Sequence, residues 1–195
     1  MEFFVTHQTV EHYSGDCAVA FVFKDKAHQN KDLQQLLELN RFDAIVGATL
    51  MLSRVDGYKT KRLLVVGLGD SSLNEKNYIK VLNSLSSTLS DAKVKNVVIP
   101  DIQIDNRDES WIQLTTARVL KNASYQVEKV DAKEENEKGT LEAISIYSEN
   151  NDATEINKGL AIANGMALTR RLGDLPSNIC TPSYLAETAK SLAKN

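Results

Sequence analysis

The sequence predicts an α/β domain built on a largely parallel sheet with helices on both faces. Three observations carry that expectation. Short, continuous apolar runs recur along the first 150 positions: CAVAFVF (17–23), RLLVVGLG (62–69), NVVIP (96–100) and AISIY (143–147). A strand that is apolar at nearly every position is one buried on both faces. Between these runs lie segments with apolar residues at helical spacing, and the two kinds alternate, as strands joined by crossover helices do.

Taken in chain order, FFVT (3–6) is a weaker strand candidate suited to a sheet edge, and 17–23 is the first buried strand. KDLQQLLELN (31–40) sets Leu33, Leu36, Leu37 and Asn40 at helical spacing. The stretch 42–52 is ambiguous, because Gly47 weakens a helix there. After the strand at 62–69, Ser72 and Glu75 have capping-box spacing. They open a helix with Tyr78, Ile79, Leu82, Leu85 and Leu89 on one stripe. A third helix over 108–122 carries Trp111, Leu114, Ala117 (or Arg118) and Val119. YQVEKV (125–130) is a second weak strand, and DAKEENEKG (131–139), charged and apolar-poor, reads as a solvated loop before the strand at 143–147. No internal repeat is visible.

Beyond residue 150 the pattern changes. A long helix carries Ile156, Leu160, Ala163 and Ala167, with Ile162 and Met166 alongside. Arg170 and Arg171 fall in its last turn and Gly173 reads as its C′ stop. LPSNICTP is irregular, and Thr181 with Pro182 forms an N-cap and N1 pair that opens a last helix with Leu185, Ala189 and Leu192. These 45 residues are too few for a second core, and they read as the start of a second domain cut short.

Composition narrows the function classes. Apolar residues make up 42% of the 195 and charged residues 25%, as in soluble globular proteins. The net charge of −3 argues against a dedicated nucleic-acid binder. No apolar run approaches the ~18–20 residues of a membrane span, and the opening MEFFVTHQTVEHYSGD does not read as a signal peptide. Cys17 and Cys180 make no CxxC pair, so a reducing, cytoplasmic setting fits, with Cys17 a small core residue. His7, His12 and His28 have no zinc-helix spacing and read as surface residues. No GxSxG elbow supports a serine triad.

The segment 163–189, ANGMALTRRLGDLPSNICTPSYLAETA, resembles the leucyl aminopeptidase (cytosol aminopeptidase) family. That family joins its two domains by a long helix with an Asn-Gly and a late Thr-Arg pair. An L-G-N-L-P-P-N-x-C-T-P-x-x-L-A stretch follows. Asp174 stands where Asn is common and Ser177 where Pro is common. RLLVVGLGD (62–70) is similar to the family's strand ending in VGLG; the rest of 1–150 matches in layout, and 57–62 looks shorter than in many members.

The resemblance implies a three-layer α/β/α sandwich, macro-domain-like, over 1–150, a linker helix over 151–172, and the start of a truncated catalytic domain over 173–195. It also implies a parent enzyme: a cytoplasmic homohexamer that removes N-terminal residues from peptides with two divalent ions, Mn or Zn. Two ions suit that reaction, because one polarises the scissile carbonyl while a bridging water becomes hydroxide at neutral pH. The family's ligands, mainly carboxylates plus a Lys, and its assisting Lys and Arg lie in motifs downstream of TPxxLA that do not occur here. No catalytic, metal or cofactor position therefore carries over to this chain. The expectation is an inert accessory and assembly domain whose partners are its own catalytic domain and further copies of the chain.

Rival sites exist. Gly67-Leu68-Gly69 follows a strand and precedes a helix, as a phosphate loop does, but Ser72 occupies the third glycine position of GxGxxG and no P-loop Lys follows. A tight turn explains it as well, while a macro-like fold keeps nucleotide or ADP-ribose binding as an alternative. Asp101, Asp105 and Asp108 follow a strand as metal-binding carboxylates can; helix capping and solubility account for them equally. Trp111 is read as a core or helix-face anchor, with a subunit interface as the rival. Lys59, Lys61, Arg62, Lys93 and Lys95 precede two neighbouring strands and would form a basic rim, the sequence's one hint of DNA contact.

Overall fold

The computed structural model describes residues 1–126, 141–150 and 152–194. Its strands are β1 (Glu2–Thr6), β2 (Cys17–Phe23), β3 (Thr49–Ser53), β4 (Arg62–Gly69), β5 (Asn96–Ile99) and β6 (Ala143–Tyr147). They form one sheet in the order β1-β6-β5-β2-β4-β3. All neighbours are parallel except β3, which runs antiparallel to β4. The helices are α1 (Lys31–Leu39), α2 (Glu75–Asp91), α3 (Glu109–Ala123), α4 (Thr154–Asp174) and α5 (Pro182–Leu192). The expected mixed, mostly parallel α/β sheet is observed, in an arrangement consistent with three layers.

Apolar continuity maps onto position in the sheet. The four continuous runs are the four interior strands, whereas FFVT is an edge. The alternate residues of β2 face opposite layers. Cys17 and Val19 join Leu64, Val66, Val97 and Ile144 in the core beneath α2 and α3. Ala18, Ala20 and Val22 join Leu63, Val65 and Val98 in the core beneath α1, which contributes Leu33 and Leu37. Tyr78 of α2, fully buried, spends its hydroxyl on Thr116 Oγ1 of α3 at 2.6 Å.

Several expectations need correction. The ambiguous stretch 42–52 ends in β3, a half-buried antiparallel edge strand, while Gly47 takes φ +81 in the turn before it. Helix α2 is capped by Asn74, whose side chain accepts from Asn77 N, rather than by Ser72. Leu73, only 1% exposed, is drawn into the core, so the helix begins after it. Gly173 lies inside α4; the helix ends at Leu175, whose φ −68 and ψ 135 are extended. The residue before Pro176 is driven to that conformation by the proline ring. The expected α4 stripe is shifted: Ile156, Gly159 and Ala163 are buried, and Ile162 is 46% exposed. Of the weak strand at 125–130, positions 127–130 lie outside the described residues, as does the expected loop at 131–139.

Helix α4 lies against α3 through small residues. A Cβ on Gly159 would stand 2.3 Å from the Leu114 carbonyl oxygen and 3.1 Å from Ala117 Cβ. The two backbones therefore meet at a distance that only glycine permits.

Val65 is fully buried between β2 and β3. Val65→Asp places an unpaired charge there at a cost of several kcal/mol, against a total stability of about 5–15 kcal/mol. The variant is expected to lose its cooperative thermal transition by circular dichroism. A soluble variant melting within a few degrees of the wild type would contradict a sheet covered on both faces.

Candidate functional site

The chain changes direction across the sheet at β2. From β2 the chain runs through α1 to β3 and back to β4 on one side, then crosses through α2 to β5 and through α3 to β6 on the other. In open α/β sheets ligands bind outside the carboxyl ends of the strands at such a switch. A cleft of about 440 Å³ opens there, between the ends of β2 and β4 and the turn after β5. Its floor is apolar, with Phe21 half-buried and Leu68, Leu73 and Ile102 buried; its rim carries Lys26, Asp101 and Asp105. Partial burial, and then the like charges of Glu109 and Glu149, push the Asp101 carboxyl above the usual aspartate value, against one backbone hydrogen bond at Ile102 that lowers it.

The glycine turn is not an anion cradle. Gly67 N donates to Ala48 O and Gly69 N to Ala44 O, both at 2.8 Å. Gly69 O accepts from Lys24 N at 2.7 Å. A phosphate loop needs such amides free. Gly67 is required for another reason: a Cβ there would lie 2.4 Å from the Ile45 carbonyl oxygen. The N-termini of α1, α2 and α3 are occupied by their own caps, Asn30, Asn74 and Asp108. Together with the acidic rim, this leaves the nucleotide alternative without support.

The carboxylates do not converge on a metal. Asp108 caps α3 by accepting from Trp111 N at 2.9 Å, and the backbone amide of Asp105 ties its turn to Leu73 O at 3.0 Å. Among the described residues no three His, Cys, Asp or Glu side chains stand close enough to hold an ion. His28 Nδ1 accepts from Asn30 N at 3.1 Å, and burial pushes its pKa down. His12 Nδ1 meets Thr9 Oγ1, and His7 is exposed. Cys17 is fully buried, and desolvation pushes its thiol up to about 12. Cys180 is half-buried. Trp111 packs against the core, its ring 6.2 Å from that of Tyr78 and beneath the Arg107 guanidinium.

One polar cluster escaped sequence reasoning. Glu109 Oε1 accepts from Gln113 Nε2 at 2.8 Å and from Ser148 Oγ at 2.6 Å, and Ser148 N donates to Thr6 O at 3.1 Å. This ties the start of α3 to the ends of β1 and β6. The helical spacing of Glu109 and Gln113 was visible, but nothing pointed to Ser148, 39 positions on.

At the opposite end of the sheet Arg62 and Lys95 are neutralised by carboxylates. Asp16 accepts from Arg62 Nε at 3.1 Å, from Arg62 Nη2, and from Lys95 N at 3.0 Å. Arg62 Nη1 reaches Ala92 O at 2.6 Å. Lys95 Nζ pairs with Glu142 at 3.1 Å. Lys93 holds the left-handed turn after α2 at φ 50. Lys59 N donates to Glu11 O, and Lys61 is exposed beside Asp16. Two of the five rim residues, Arg62 and Lys95, are thus held in structural ion pairs.

The chain's last part is the least covered. No residue of α4 after Ala163 is buried, and none in α5. Leu185 and Leu192 are 45% and 57% exposed. The end of α4 is tied to α3 by Tyr125 Oη, which donates to Asp174 at 2.8 Å, and by Arg170 over the Tyr125 ring. Thr181 caps α5, with Pro182 at its first position. None of the described helices is long and apolar enough to cross a membrane.

Comparison with known proteins bears on all of this. Residues 17–134 match the model of the cytosol aminopeptidase family, N-terminal domain. The chain is 42% identical over 194 residues to the probable cytosol aminopeptidase of Vesicomyosocius okutanii, covering 100% of this chain and 40% of that protein. It is 37% identical to that of an Azoarcus species, covering 87% and 36%. Among solved structures it superposes on a mutant of tomato leucine aminopeptidase with TM-score 0.70 at 23% identity, covering 100% and 42%. It superposes on the bottromycin maturation enzyme BotP with TM-score 0.73 at 15% identity, covering 92% and 37%; a manganese complex of BotP is also similar. The structural likeness is one of fold. The chain spans about two-fifths of the length of its curated relatives.

The Asp16 cluster gives a pH-dependent test. Partial burial, the largest single influence, pushes its carboxyl up, but the Lys95 amide, the Arg62 hydrogen bonds and the charges of Arg62 and Lys61 outweigh it and hold the value below 3.8. Its stabilisation is therefore complete above the unfolded value and is lost as pH falls through the folded one. Asp16→Ala is expected to cost about 1–3 kcal/mol near neutral pH. In urea titrations the gap to the wild type should shrink once pH drops below about 4. A gap independent of pH would show that the carboxylate charge is not what stabilises this end of the sheet.

Proposed function

Because the chain belongs to the cytosol aminopeptidase family, we propose that it forms the non-catalytic accessory and assembly domain of a two-metal leucyl aminopeptidase, an enzyme that removes N-terminal residues from peptides in the cytoplasm. The observation that carries this reading is the match of residues 17–134 to the family's N-terminal domain. In the family-length protein, residues 1–150 are the macro-like domain, 151–172 the linker helix and 173–195 the first residues of the catalytic domain. Six copies assemble.

The chemistry belongs to the catalytic domain, where two divalent ions, manganese or zinc, polarise the peptide carbonyl and generate the attacking hydroxide. The described residues offer no ligand set for such ions, so no step of hydrolysis is assigned to them. What they contribute is a rigid sheet and an arm, α4 and α5, whose exposed Leu185 and Leu192 suit packing against that domain. The nucleotide and DNA alternatives are not favoured. The glycine-turn amides are occupied, and Arg62 and Lys95 of the basic rim are paired with Asp16 and Glu142.

Two measurements test the proposal. Residues 1–195, purified and supplied with Mn²⁺ or Zn²⁺, are expected to leave leucine amide and leucyl peptides intact. Metal-dependent turnover that follows the protein through size-exclusion chromatography would overturn the assignment. In hydrogen exchange on a dilute monomer, amides of 182–192 should exchange far faster than those of 62–69 and 96–99. An isolated helix shorter than ~12–15 residues is marginal in water, because its stability comes from packing. Equal protection would mean that α5 belongs to the core of this domain rather than to an interface.

A further inference from the structure

The cleft at the carboxyl ends of β2, β4 and β5 combines features that no structural role absorbs. Its accessible apolar lining is Phe21 and Phe23, both half-buried, over Leu68 and Leu73, which are each only 1% exposed. Its volume, about 440 Å³, falls in the ordinary range for small-molecule sites. Its rim carries charges of both signs, Lys26 on one side and Asp101 and Asp105 on the other. No ion pair joins Lys26 to either carboxylate; Lys26 rests instead over the Phe23 ring, 4.6 Å from its centre. Opposite charges that line one cleft without meeting leave a gap that a ligand with separated charges can bridge. Asp101 is also held among like charges, from Glu109 and Glu149, which an arriving cation would relieve.

The geometry points to a binding site for a zwitterionic amino acid with an apolar side chain, its ammonium at Asp101 and Asp105, its carboxylate at Lys26 and its side chain over Phe21. The acidic rim selects against phosphates and nucleotides. The apolar floor selects against glycine and polar amino acids, which would leave it wet. Both charges are needed, because each contact alone is an exposed pair of small value. This site is independent of the family-level function proposed above; it stands or falls on the cleft alone.

The test is a methyl NMR titration of the 195-residue chain with L-leucine, following Leu68, Leu73, Ile102 and Ile104. Saturable shifts confined to those methyls are expected, with a Kd on the order of millimolar. Leucinamide, which lacks the carboxylate, and 4-methylpentanoate, which lacks the ammonium, should each bind about fivefold or more weakly than L-leucine. Lys26→Ala should erase the preference over leucinamide, and Asp101→Asn with Asp105→Asn the preference over 4-methylpentanoate. All three side chains are exposed, and the spectra of the variants report directly that they remain folded. Absence of saturable shifts up to about 100 mM L-leucine would overturn the proposal. Equal binding of all three compounds would overturn it too, because the cleft would then be no more than a greasy surface. So would tighter binding of ADP-ribose at the same methyls.

Discussion

What the carboxyl end of the sheet can do depends on how closely the backbone of residues 44–48 passes Gly67. Gly67 N and O both bond to this segment, to Ala48 O and Gly47 N, and Gly69 N bonds to Ala44 O. The contact admits no side chain, since a Cβ on Gly67 would overlap the Ile45 carbonyl. Its consequences run in three directions. It delivers the chain into β3 antiparallel to β4, closing that edge of the sheet. It consumes the amides that would otherwise make a phosphate loop. And it leaves the cleft beside β2 and β5 open on the other flank of β4.

How much of this was legible follows from what one-dimensional pattern can encode. Burial on both faces leaves a continuous apolar run, so the four interior strands could be read directly. Strand β3 could not: with one protected face at a sheet edge, TLMLS and the turn before it carry neither clean alternation nor clean helical spacing. The misplaced helix ends have local causes that propensity ranks wrongly. Ser72 has the right spacing to cap α2, but tertiary burial of Leu73 takes precedence and shifts the cap to Asn74. Gly173 has the right chemistry to stop α4, yet a glycine permits a left-handed turn without enforcing one, whereas Pro176 does constrain Leu175.

The polar sites were less legible, because their partners are distant in sequence. Lys59, Lys61, Arg62, Lys93 and Lys95 look like a basic rim when read alone. The carboxylate that neutralises Arg62 is Asp16, 46 positions away, and the amide of Lys95 reaches the same carboxylate across 79. The parallel register places them together: Cys17 stands beside both Arg62 and Val97, so the residues flanking these positions must share one end of the sheet. Glu109 and Ser148 meet by the same logic at the other end. Sequence reading found the charges but not their pairing, and pairing separates a surface for nucleic acid from a structural clamp.

The two ends of the sheet thus divide the work. At the amino end Arg62 and Lys95 are paired with Asp16 and Glu142, and these pairs clamp neighbouring strands. At the carboxyl end Lys24 pairs with Asp43 and Arg107 with Glu75, while Lys26, Asp101 and Asp105 stand apart around the cleft. Helix α4 belongs to neither end. Its first half is held by a glycine seam at Gly159 that fixes its distance from α3 closely, and a helix of 21 residues reaches ~30 Å. Small residues at its root set its angle, and the Tyr125 contacts with Arg170 and Asp174 hold its far end to the end of α3. Fixed at both points, α4 sets where α5 begins relative to the sheet. The close approach at Gly159 therefore sets the path of α4 in the way the close approach at Gly67 sets the path into β3: in each case the absence of one Cβ sets where a backbone runs.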